Sequence, residues 1–411
     1  ELKVKAFTEP LLSLAGFEEM TKTAEKSSGL ISVTGCIDAQ KSQMIYAFGG
    51  HRKNKLIVTF GEQKAKELYD EYSFFDKEVV YYPSKDVLFY QSDIRGNLLT
   101  AERIRALKAI REQERVTLVT TFDALMNTMA PIEKMWENVL TLELGQLLDL
   151  KEIQAALIRM GYEKEYQVQT MGQFSVRGGI LDVFPLTEEN PIRIELWGDE
   201  IDTIRYFDCE SQKSIENIDR VSIYPAAELV LSDEEKAGGI DKLKAEAKRV
   251  SDKLRKQMKT EEAHRVTVMA DELTEEWGEL SMYAGMDAFL SYFFDERVGI
   301  LDYFNPSDSI IFFDELTRCV EQGKLTETEF SESMKQRLAM GYILPGQMNG
   351  LFTEKEIVAK LGKYSCIALG ALDNKANGLH QLGSYGIHCQ SVSPYNNSFE
   401  LLIKDLKRYK K

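Results

Sequence analysis

Paired cysteines, a basic surplus and long apolar runs are all missing from this chain of 411 residues. Its five cysteines, Cys36, Cys209, Cys319, Cys366 and Cys389, are scattered, odd in number and form no C-x-x-C pair. Neither a zinc site nor a disulfide framework is indicated, and a reducing cytoplasm is the expected compartment. The four histidines, His51, His264, His380 and His388, are equally dispersed, so they read as ordinary surface or core residues and no metal site is expected. No stretch approaches the roughly 18 apolar residues of a membrane span, and no signal peptide opens the sequence. A net charge of −15, with a pI near 5.0, withholds the basic footprint that strong sequence-independent nucleic-acid binding needs. Autonomous DNA binding is therefore the weaker reading, although a local patch is not excluded. The remaining composition, 44% hydrophobic and 28% charged, is that of a soluble globular protein long enough for two or three domains. The sequence opens at Glu1 without an initiator methionine and stops in Lys407-Arg408-Tyr409-Lys410-Lys411, so a segment of something longer is expected.

What is present first draws the eye at Gly35-Cys36-Ile37-Asp38-Ala39-Gln40-Lys41-Ser42. The pattern G-x-x-x-x-G-K-[ST] between a strand and a helix cradles phosphates. Here the strand (30–33), the first glycine, the lysine and the hydroxyl are in place, but Gln40 stands at the second glycine. A side chain there obstructs the bend that converges backbone N–H groups on the phosphates. Two readings follow. Lys41 and Ser42 bind an anion at the helix N-terminus, with Asp314 and Glu315 as the magnesium-side acids; or the loop is a relic packed by other contacts, its acids capping the next helix. Replacing Gln40 by glycine is expected to restore weak nucleotide binding.

Along the chain, apolar runs at 30–33, 55–60, 79–82 and 117–120 alternate with helix candidates such as 62–75 and 101–114, the pattern of a doubly wound parallel α/β domain. From about Leu147 a short helix, 149–160, precedes strands at 167–170, 174–184, 192–197 and 200–207, a mainly antiparallel α+β domain inserted into the first. Residues 232–280 read as nearly continuous charged helix, with Leu243, Ala247, Val250 and Leu254 on one stripe. Strands return at 309–315, 365–369 and 386–392, and a last helix, 399–411, follows an N-terminal signal at Asn397 and Glu400.

In the inserted domain, alternation places Ile192, Ile194 and Leu196 on one face and Arg193, Glu195 and Trp197 on the other; in the 174–184 run, Phe174 and Val176 point in while Ser175 and Arg177 point out. An exposed tryptophan among arginines has the composition of a protein-binding hot spot. The competing reading tucks Trp197 under a loop and leaves the arginines as solvated ion-pair partners.

The stretches Gly172–Pro185 (GQFSVRGGILDVFP) and Pro191–Asp202 (PIRIELWGDEID), with 301–304 through Asp314-Glu315, resemble a family of bacterial repair proteins: UvrB, the damage-verification helicase of excision repair, and the N-terminal third of the coupling factors of transcription and repair. The resemblance covers nearly the whole chain. Three departures favour the coupling-factor branch: Gln40, the absence after Tyr81-Tyr82-Pro83 of the aromatic hairpin with which UvrB clamps DNA, and an end where UvrB continues into a second motor domain. It implies a UvrB domain 1a-like degenerate P-loop domain at 1–146, a domain 2-like unit at 147–231 that docks UvrA, a domain 1b-like long helix and completion of the sheet at 232–392, and a linker with the start of a following domain at 393–411. Arg177, Arg193 and Trp197 match its UvrA-docking positions, the last more often phenylalanine in the family. Gly35, Gln40, Lys41, Ser42, Asp314 and Glu315 match the nucleotide loop. The resemblance implies no catalytic residues and no cofactor in this stretch. ATP and magnesium belong to motor domains elsewhere in a DNA translocase, RNA polymerase and DNA are met through other domains, and C-terminal domains mask the docking unit. A nucleotide-dependent DNA-unwinding subunit of the UvrB type is the alternative.

Overall fold

The structure, a computed structural model, describes residues 8–14, 16–48, 52–85, 96–279, 286–372, 374–387, 395–396 and 398–409. In chain order the strands are β1 (Gly29–Thr34), β2 (Asn54–Thr59), β3 (Val79–Tyr82) and β4 (Val116–Thr121) of a first sheet. Next come β5 (Leu140–Glu143), β6 (Glu163–Lys164), β7 (Gln173–Arg177), β8 (Ile180–Val183), β9 (Ile192–Trp197), β10 (Glu200–Phe207), β11 (Ser214–Asn217) and β12 (Arg220–Ile223). Finally β13 (Ser309–Asp314), β14 (Ser365–Gly370) and β15 (Gln381–Gly386) return to the first sheet.

That sheet is parallel throughout, ordered β15-β1-β14-β13-β2-β4-β3. Its central strands are buried on both faces, which is why they read as continuous apolar runs. Leu30, Leu56 and Phe313 join the core on one side, and their neighbours Ile31, Ile57 and Phe312 the core on the other. Helices such as Asp38–Phe48, Glu62–Tyr72 and Leu316–Ala339 cover the faces. The doubly wound α/β expectation stands.

The second sheet, ordered β11-β10-β9-β8-β7-β6, is antiparallel except for β6 beside β7. One face packs Phe174, Leu181, Ile192, Ile194 and Ile204 against Leu157 of the helix Leu150–Arg159 and Met160 just past its end; Asp149 caps that helix by accepting the amides of Lys151 and Glu152. The chain enters this unit along β5 and leaves along β12, and the two pair. Just beyond β12, buried Glu228 fastens the exit to the first domain. Its carboxylate accepts Arg103 Nε at 2.7 Å and Lys85 Nζ at 3.0 Å, and Lys85 also pairs with Asp287 at 2.6 Å.

Four sequence expectations change. Residues 167–170 are not a strand: Gln169 and Thr170 donate their amides to the Gln173 side chain, and the pairing strand is β6. The 174–184 run is two strands, turned at Gly178-Gly179. The long helix is two, Asp233–Lys256 and Thr260–Glu279, because Met258 takes a left-handed conformation (φ 63°) and the Lys259 amide turns back to the Leu254 carbonyl. Leu243, Ala247 and Leu254 then face Ala263, Val266 and Ala270 across the hairpin. The strand expected at 386–392 lies at 381–386, a glycine-containing edge strand with little β-branching to announce it. Residues 388–392, Asn397, His51, His388, Cys389 and the 86–95 segment after the expected hairpin position lie outside the described residues. The helix expected at 101–114 runs Gly96–Glu112 and the last helix Phe399–Tyr409.

Candidate functional site

Two ionic clusters occupy the positions the sequence singled out. The first is the phosphate-loop region at the C-terminal ends of β1 and β13, with β14 between them. The helix begins at Asp38, so Gln40, Lys41 and Ser42 already lie within it. Gly35 sits at φ 79°, where a Cβ would strike the Ile387 carbonyl. Two loop amides are spent on backbone carbonyls, Gly35 on Ala371 at 3.2 Å and Cys36 on Gly370 at 3.1 Å. Lys41 is 2% exposed and reaches across β14 to Asp314 at 2.5 Å, while Asp38 at 2.9 Å and Glu315 at 3.3 Å complete its shell. Burial pushes its amine down, but the hydrogen bonds and charges of Asp314 and Asp38 outweigh it and hold the group above the ordinary lysine range. Thr59 donates to the other Asp314 oxygen at 2.9 Å, and Glu315 takes the Ala371 amide at 3.1 Å. Ser42 donates to Glu71 at 3.3 Å. The Gln40 side-chain oxygen is buried with no hydrogen-bond partner among the described residues. Of the loop and acid positions, Lys41, Asp314 and Glu315 are thus brought into direct contact, while Ser42 turns to Glu71.

The second cluster lies on the outer face of the antiparallel sheet. Trp197 ends β9 and is 84% exposed; Gly198, at φ 65°, makes the turn that carries the chain back into β10. Glu200 faces Trp197 across the hairpin, and Leu147 bridges Glu200 from its other side. Opposed residues of antiparallel strands share a face, so Trp197, Glu200 and Leu147 form a row, with Leu147 also well exposed. Deeper into the sheet, one and two rows from Trp197, Arg177 and Arg193 are both engaged within the sheet. Arg193 donates Nε and Nη2 to Asp182 at 2.7 and 2.9 Å, and Nη2 also to Gln212 at 2.8 Å. Its plane covers Phe207 at 4.4 Å. Arg177 donates Nη2 to Asp182 at 3.0 Å. Arg193 thus makes a two-pronged pairing inside the sheet, and Arg177 a single bond to the same acid. Beside it, Arg205 pairs with Glu195 at 2.5 Å, a hydrogen bond that lowers the glutamate's pKa despite partial burial. Ser175, expected to point out, does so beneath a covering segment: it is buried, its hydroxyl on the Tyr166 carbonyl at 2.8 Å. Asp182, Gln212 and Leu147 were not singled out from the sequence. The register Asp182 opposite Arg193 is the signal that would have found the first of them.

Residues 140–229 match the UvrB interaction domain family. This stretch contains the whole antiparallel sheet, with Arg177, Arg193 and Trp197. A transcription-repair-coupling factor of Bacillus subtilis is 29% identical over 290 residues, 70% of this chain and 24% of its own length. One from Staphylococcus aureus is 27% identical over 406 residues, 96% of this chain and 33% of its own. Another, from Staphylococcus haemolyticus, is 26% identical over 92% of this chain. The chain resembles the amino-terminal, UvrB-like module of the transcription-repair coupling factor (Mfd). It spans about a third or less of the length of these relatives. Among the described residues of this module no helix is long and apolar enough to cross a membrane.

Proposed function

We propose that this chain is a non-catalytic docking module. Through the outer face of β7–β10 it binds UvrA and brings that damage-sensing ATPase to RNA polymerase stalled in the bacterial cytoplasm, in transcription-coupled nucleotide excision repair. The observation that carries the reading is the exposure of Trp197, 84%, beside two arginines in the stretch that matches the UvrB interaction domain. A rigid strand holds the aromatic, and an arginine-rich surround completes a hot-spot composition. The unit at 147–231 is assigned this docking role. Polymerase, DNA and the ATP-driven motor are assigned to other parts of the coupling factor, and its C-terminal domains to masking the docking face.

The residues at the loop do not fit a nucleotide. The amine that would meet the phosphates is ringed by Asp38, Asp314 and Glu315, two loop amides are satisfied internally, and Gln40 fills the glycine position. This arrangement supports a module without ATP turnover and disfavours the UvrB-type unwinding alternative. Capture of UvrA by the chain alone tests the reading. Retention by the wild type and loss with Trp197→Ala, at unchanged melting temperature, is the expected outcome; equal capture by both folded proteins contradicts it.

A further inference from the structure

The two arginines of the docking face share a carboxylate that an argument from exposure would pass over. Asp182 lies mid-strand in β8, opposite Ser175 on β7 and Arg193 on β9, and is 1% exposed. Both of its oxygens are used: Oδ1 by Arg193 Nε, and Oδ2 by Nη2 of Arg193 and of Arg177. Arg177 is held by Asp182 alone and Arg193 by Asp182 and Gln212, and Nη1 of both has no acceptor among the described residues. Without the acid, two like charges on either side of β8 repel, and each long side chain samples many rotamers that binding must then freeze out. Burying a carboxylate costs desolvation that an apolar pair avoids, so its place among two half-open arginines calls for a use outside the core.

We propose that Asp182 is a positioning residue for the UvrA-docking surface: it fixes Arg177 and Arg193 in their docking rotamers, with Nη1 donors unspent for hydrogen-bond acceptors on the partner. The inference rests on the docking reading above. Hydrogen bonding to Asp182 also raises the pKa of Arg193, as a permanently paired cation requires.

The test is UvrA affinity for the wild type, Asp182→Asn, the double variant Arg177→Ala/Arg193→Ala and the triple combination, with thermal melts alongside. Asp182→Asn is expected to weaken binding about 10-fold or more. In the arginine-less background the same change should cost less than about 2-fold, since nothing remains to be positioned. A merely structural role would cost the same factor in both backgrounds. Equal losses, or wild-type affinity of folded Asp182→Asn, overturn the proposal. Should Asp182→Asn unfold, Gln212→Ala serves instead: it loosens Arg193 without changing a buried charge. It should weaken binding about 3-fold, an effect absent from the Arg193→Ala background; wild-type affinity of this variant overturns the proposal. If Trp197→Ala and the double arginine variant bind UvrA as the wild type does, the docking reading has failed and the positioning role with it. If they lose binding and only Asp182→Asn does not, the positioning role alone has failed.

Discussion

The phosphate-loop cluster and the docking-face cluster are built from the same materials in opposite proportions. In the first, one buried lysine is enclosed by three carboxylates at the C-terminal edge of the parallel sheet. In the second, one buried carboxylate holds two partly exposed arginines. The lysine has three donors and three acidic partners, so the arrangement closes on itself. Each arginine has five donors and spends only some of them, so that arrangement remains open toward solvent. A motif that elsewhere grips a nucleotide has become a fastening between β1 and β13, while an ordinary-looking hairpin presents unspent donors beside an exposed tryptophan. The surplus of donors over acceptors, rather than the presence of a familiar motif, is the ground on which we propose the docking face as the surface that receives a partner.

The closed cluster can be broken by Lys41→Met. Removing the amine leaves Asp314 buried against neighbouring acids, and a loss of roughly 3–5 kcal/mol is expected, read by urea denaturation. A loss below about 1 kcal/mol would mean the three acids do not depend on the lysine. The fastening at Glu228 gives the next largest effect. Burial pushes its pKa up, but Arg103 and Lys85 overcome that and hold it down at about 2. A carboxylate depressed in the folded state stabilises above its unfolded value, near 4.5. That contribution fades as pH falls through the folded one. Glu228→Gln should cost on the order of 3 kcal/mol near neutral pH, and the gap from wild type should close between about pH 4.5 and pH 2. A gap independent of pH across that window would remove the charge from the explanation.

The open cluster is probed by Arg193→Lys. A point charge cannot reproduce the two-pronged contact to Asp182 or the cover over Phe207, so UvrA binding should weaken by about 1–2 kcal/mol with little change in melting. The smallest effect is expected from Gln40→Gly. Sequence alone suggested that this glycine would restore nucleotide binding. With Lys41 engaged by three acids, the change should instead only loosen the helix, by about 0.5–1 kcal/mol, and calorimetry with magnesium-ATP should show no gain in binding. Micromolar binding would show that the lysine can be released.

The parallel sheet was legible because its strands are buried on both faces: Lys55-Leu56-Ile57-Val58 and Ile310-Ile311-Phe312-Phe313 have no other comfortable conformation. Trp197 was legible too, since alternation in a six-residue strand leaves its face unambiguous. Asp182 was not. An acid in Ile-Leu-Asp-Val reads as a solvent-facing residue, and only the registers against β7 and β9 show that its neighbours on that face are serine and arginine. The engagement of Lys41 was equally hidden, because two of its three partners lie 273 and 274 residues away along the chain. The break at Met258 needed a left-handed non-glycine residue, which no propensity would favour. Pairings of that length are set by topology, and composition carries no record of them.

We propose that function resides in the open cluster and not in the closed one. The deciding measurement is a titration of UvrA against the wild type and Trp197→Ala at physiological salt. Measurable binding by the wild type and a loss of about 2 kcal/mol or more in the variant are expected, with superimposable thermal melts. Equal affinity for the two folded proteins would contradict it.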